Sequence, residues 1–174
     1  MRLPSLCDMQ IEFTASSLLI DGRPLPARIN AAEFMAIAGP PLRSREIKMH
    51  PSGVRRANVS ASGMAWYVDE REDEVSHFHI ALSRLDTPEE ADAAFAGSIF
   101  FGGVLLDAES TEATLMRQDS IKLVGRNHSG WYDTADHNIT LCFERPRDQL
   151  GKRSSKAHRL AYVSVSFKAH CAGI

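Results

Sequence analysis

Cysteine is scarce in this 174-residue chain: Cys7, Cys142 and Cys171 are the only three, and none forms a C-x-x-C pair. An odd, widely spaced trio supports neither a disulfide framework nor a zinc ribbon. Tryptophan is scarcer still, with only Trp66 and Trp131. No stretch approaches the ~20 apolar residues that a membrane helix requires. The opening MRLPSLCDMQIEF has no continuous apolar segment of the secretory kind. Charge of one sign is also missing: 20 Lys and Arg stand against 22 Asp and Glu, a net charge of -2. That balance argues against a dedicated nucleic-acid binder, which would be basic. Gly-x-Ser-x-Gly does not occur, so no Ser or Cys sits in a nucleophile elbow. Gly97, Gly102 and Gly103 lead into no Gly-Lys-Ser/Thr, so there is no phosphate loop. The expectation is a cytoplasmic chain with no membrane span and no cofactor. With 44% hydrophobic residues it can build one core, or two small halves sharing one.

The run 66–82, WYVDEREDEVSHFHIAL, is the organising stretch, and 131–144, WYDTADHNITLCFE, echoes it. Phe78, Ile80 and Leu82 share one face of a strand, and His77, His79 and Ala81 share the other. Ile139, Leu141 and Phe143 oppose Thr140 and Cys142 in the same way. This period of two marks half-buried strands. The carboxylates of Asp69, Glu70, Glu72, Asp73 and Glu74 are too costly to desolvate unpaired, so they form a turn between strands.

Elsewhere the punctuation is local. Asp21-Gly22 signals a hairpin turn, and Pro24 and Pro26 confine the return strand to an edge. Asn30 is a candidate N-cap with Glu33 at N3, a capping box for a helix over 31–38 whose apolar face is Phe34, Ile37 and Ala38. Gly39-Pro40-Pro41 stops it. The polar segment 42–60 suggests a short strand near 46–49 and a turn at 51–53. Thr87-Pro88-Glu89-Glu90 would start another helix. Strands follow at 98–101, 104–106 and 121–124, with Thr111 capping a helix over 112–117. The stretch 145–159 reads as a flexible basic loop, 161–167 as a strand, and 168–174 as a frayed end. Residues 20–27 lay over 101–108 without gaps, and Asn30 then meets Thr111. This order suggests a candidate pseudo-repeat of 11–83 and 95–167 in a single domain, 1–174. The expected class is α+β: a largely antiparallel sheet, in one set or two similar halves, with short helices packed on one side.

Few residues suggest chemistry. His77 and His79 project from one strand face, as two ligands of a metal would, but no third ligand has diagnostic spacing. Asp133, Asp136 and His137 have the types of a general base with its orienter, and equally those of an ordinary turn. A small hydrolase or metal-dependent enzyme would need His77, His79, Asp133 and His137 to converge. The basic loop lacks the interleaved aromatics that stack on RNA bases.

The opening SLLIDGRPLPARINAAEFMAIAGPP, and the run from Phe95-Ala96-Gly97 through residues 98–107, resemble a group of small bacterial proteins of unknown function. Such proteins are often encoded beside toxins used in competition between bacteria and are thought to act as immunity proteins. The resemblance implies a stoichiometric inhibitor of a cognate protein toxin, not an enzyme, and carries over no catalytic residue. The expected partner surface is basic, and the contacts expected here are Trp66, Tyr67, Asp69, Glu70, Glu72, Asp73, Glu74 and Tyr132, by aromatic anchoring and charge steering.

Overall fold

The computed structural model describes residues 9–49, 53–82, 93–126, 128–145 and 158–171. Strand β1 (Gln10–Phe13) precedes a hairpin of β2 (Leu18–Ile20) and β3 (Arg23–Pro24). Asp21 and Gly22 both have positive φ, the geometry that matches the twist of a two-residue hairpin loop. Thr14 ends β1 in a polar turn, its hydroxyl taking the Ser17 amide at 3.0 Å. That turn separates β1 from β2.

Helix α1 spans Ala31–Ala38 with the capping box intact. Asn30 Oδ1 accepts from the Glu33 amide at 2.8 Å, and Glu33 Oε2 accepts from the Asn30 amide at 3.2 Å. Two otherwise orphaned donors are thereby satisfied, and Phe34 and Ala38 are turned into the core. Then come β4 (Pro41–Met49), β5 (Gly53–Ser60), β6 (Met64–Asp69) and β7 (Glu74–Ala81). The later part repeats the order: β8 (Ser98–Phe101), β9 (Val104–Leu106), α2 (Glu112–Leu115), β10 (Val124–Arg126), β11 (Ser129–Asp133), β12 (His137–Glu144) and β13 (Arg159–Phe167). A last turn of helix, α3, covers Lys168–Cys171. The expected helix start at Thr87 and most of the basic loop, 146–157, lie outside the described residues.

Two sheets result. The larger has the order β10-β11-β12-β13-β7-β6-β5-β4 and is antiparallel throughout. The smaller has the order β3-β2-β1-β8-β9, with β1 and β8 parallel. One core lies between them: Ile11, Phe13, Leu18 and Phe101 from one side meet Trp66, Phe78, Ile80, Val165 and Phe167 from the other. Phe34 of α1 packs on Trp66 and Phe78, with centroids 5.7 and 4.9 Å away. The expected class is therefore corrected in proportion. Among the described residues the chain is compatible with α+β but dominated by two sheets, with three short helices as a minor part.

The central seam of the large sheet is β7 against β13, and the strand order outward from it is the same on both sides. The backbone around the two N-caps also matches. Asn30 bridges Glu74 at the start of β7, and Thr111 bridges Arg159 at the start of β13. Arg28 pairs with Glu74, whereas Glu109 pairs with Arg159, the same contact with its charges exchanged. Among the described residues strand β1 has no counterpart, and it lies between β2 and β8. The two Trp-Tyr pairs do not occupy matching places. Trp66-Tyr67 is on β6, adjacent to β7, whereas Trp131-Tyr132 is on β11, one strand further from the seam.

Candidate functional site

The Trp-Tyr pairs face opposite ways. On β6 Trp66 points inward, 2% exposed, and Tyr67 outward. On β11 Tyr132 points inward against Phe101, and Trp131 outward, 37% exposed. A shift of one residue along a strand exchanges its faces. Trp66 and Tyr132 are therefore core residues and not surface anchors, which corrects their expected partner contact. Burial also pushes the Tyr132 phenol pKa up, and its hydroxyl has no hydrogen-bond partner among the described residues. Trp131, which was not expected to carry contacts, lines a shallow cleft with Lys122, Val124 and Asp133.

Tyr67 belongs to an outward-facing ring cluster. It stacks on His77 at 4.0 Å with planes 11° apart. His79 lies 5.6 Å from His77 and 5.2 Å from Tyr162. Beside it Val59, Ala65, Ala81 and Ala161 form a small second apolar cluster. Burial lowers the pKa of His77 to about 3, with positive charge at His79 and Arg55 adding to the effect. Burial alone lowers His79 to about 4. Both rings are neutral near pH 7.

His137 is elsewhere. It is buried on the core side of β12, edge-on to Phe167, and its Nε2 lies 3.2 Å from the Pro26 carbonyl. Burial lowers its pKa, partly offset by the Pro26 hydrogen bond and Asp136. Asp133 is exposed on β11, separated from β7 by β12 and β13. At about 4.8 Å per strand, it is roughly 14 Å from His77. The four side chains of the enzyme alternative are thus divided between two faces and do not converge.

The acidic turn between β6 and β7 is built rather than loose. Asp73 adopts φ 53, and its amide donates to the Asp69 carbonyl at 2.9 Å. Asp69 Oδ1 takes the Arg71 amide. The turn is also tied to α1: Ala31 donates to the Asp73 carbonyl and Val75 to the Ile29 carbonyl, each at 2.9 Å. Arg56 reaches Glu70 at 3.0 Å. Arg28 holds Glu74 through both carboxylate oxygens, at 3.1 and 3.3 Å. Glu70, Glu72 and Asp73 remain exposed at the tip. His170 of α3, expected in a frayed terminus, packs instead against Glu72 and Glu74. Neither Arg28 nor His170 had a local sequence signal, since each reaches the turn only through the β7–β13 seam or the α1 cap.

Among the described residues no helix is long and apolar enough to cross a membrane. Comparison with protein-family models, curated proteins and solved structures finds no match.

Proposed function

We propose that this chain is a binding protein that neutralises a cognate bacterial protein toxin by forming a stoichiometric complex. The observation that carries the reading is the preorganised acidic turn. Its backbone is fixed by hydrogen bonds to α1 and by its own closure, yet it presents Glu70, Glu72 and Asp73 to solvent. A prong already ordered loses little conformational entropy on docking. Its clustered carboxylates accelerate encounter with a basic surface. Tyr67 and His77 stack on the adjoining strands, but Tyr67 is only 9% exposed, so the proposed contacts are the carboxylates at the tip. The immunity role itself comes from the resemblance of the hairpin–helix opening to immunity-type proteins, and the cytoplasm as the place of action from the scarce, unpaired cysteines.

The test is kinetic. Tagged protein captures its partner from the cells that encode it, and association is then followed with wild type and with a Glu70→Lys, Glu72→Lys, Asp73→Lys variant. The expected result is an on-rate lower by on the order of tenfold at low salt, with the difference shrinking as salt screens the charges. An on-rate equal to wild type at low salt would show the turn to be only a solvated loop.

A further inference from the structure

Strand β13 runs antiparallel to β7, so its end arrives where β7 begins. Helix α3 therefore sets His170 beside the base of the acidic turn. The His170 side chain keeps only 9% of its exposure, and Nε2 is shielded from water. Nε2 lies 3.1 Å from Glu74 Oε2, and Nδ1 lies 3.6 Å from Glu72 Oε2. Yet Nε2 has no hydrogen-bond partner among the described residues, although the carboxylate oxygen is at contact distance. A buried nitrogen against a carboxylate, without a hydrogen bond joining them, is costly unless a third group satisfies both. A cation does so, taking the imidazole lone pair and the carboxylate charge together.

We propose that Glu72, Glu74 and His170 bind a divalent first-row transition-metal ion of the zinc type. Each residue offers one donor atom, and these atoms all lie within 4.8 Å of one another. With bonds of about 2.0–2.2 Å, neighbouring donors around zinc stand roughly 3.0–3.5 Å apart. The 3.1 Å approach of Nε2 to Glu74 has that spacing already. Glu72, half exposed, closes the rest by a change of rotamer. One imidazole and two carboxylates favour a transition ion over Mg2+, which prefers oxygen ligands and water. Arg28 is the competitor: it donates to both oxygens of Glu74, and its side chain is 57% exposed, so it can withdraw from Oε2. The bound ion ties α3 and the end of β13 to the turn, and it offsets part of the turn's negative charge. The proposal is independent of the toxin reading, because its test uses only the full chain and an ion.

Protein stripped with chelator is dialysed against Zn2+, with Mg2+ in parallel, and retained metal is counted per chain. One Zn2+ per chain is expected, with no Mg2+ retained. His170→Gln, Glu74→Gln and Glu72→Gln should each weaken binding by at least about tenfold. Arg28→Ala should tighten it, and His77→Ala with His79→Ala should leave it unchanged. Should His170→Gln fail to fold, Cu2+ bound to wild type still decides. Superhyperfine splitting from one imidazole nitrogen supports the site, and splitting from two points to the His77–His79 pair and overturns it. No retained Zn2+ would also overturn it, leaving the cluster a structural contact of the ring with two carboxylates only.

Discussion

His77 and His79 are buried more deeply than their charged forms tolerate, and the consequence is a pH-dependent stability. Their pKa values are lowered to about 3 and about 4, whereas the unfolded chain has ordinary histidines near 6.5. Below pH 6.5 the unfolded state takes up protons that the folded state refuses until pH 4 to 3. Unfolding therefore releases less free energy of resistance as pH falls, and stability declines from about pH 6.5 downward. Replacing both residues by Phe should flatten this slope between pH 6.5 and 4 in urea titrations. A slope equal to wild type would mean that other groups produce it. At the N-cap, Asn30→Ala removes one half of a reciprocal pair and should cost about 0.5–2 kcal/mol of unfolding free energy. An unchanged denaturation midpoint would show that the tie from Ala31 to Asp73 suffices for the helix start.

At the scale of elements, the two tryptophans report opposite faces of one sheet, on strands separated by β12, β13 and β7. Trp66→Ala empties a core site beside Phe34 and should cost about 3–5 kcal/mol. Trp131→Ala removes a half-exposed ring and should cost less than about 1 kcal/mol. Acrylamide should quench the fluorescence of Trp131 in a Trp66→Phe chain well above that of Trp66 in a Trp131→Phe chain. Equal quenching would mean that β6 or β11 is turned over. The same facing explains what was legible beforehand. Helix α1 and both tight hairpins are written in local chemistry, in Asn30 with Glu33 and in Asp21-Gly22 and Gly102-Gly103. Strands β7, β12 and β13 are written in strict alternation. Strands β4 and β5 were not, because Arg43, Arg45, Lys48, Arg55 and Arg56 break the apolar period while the backbone ladder runs on regardless. Strand β10 starts at Val124 instead of ending there, since an edge strand needs little apolar content. The repeated Trp-Tyr dipeptide misled for a different reason: a dipeptide fixes neither the face nor the strand.

At the scale of the whole molecule, the seam between β7 and β13 gathers what the chain separates. It brings α3 to the acidic turn, and it places the ring cluster of Tyr67, His77, His79 and Tyr162 across three strands. The carboxylates of the turn were legible in the sequence as a solvated, negative tip. Their anchoring by Arg28, Arg56 and His170 was not, because those residues come from three distant places in the chain. One growth assay tests the proposed neutralisation of a toxin most directly. The partner captured at one-to-one stoichiometry is expressed alone, and then together with this chain. Growth arrest by the partner alone and recovery on co-expression is the expected result. A captured partner that is harmless by itself, or an arrest that this chain does not relieve, would contradict the claim.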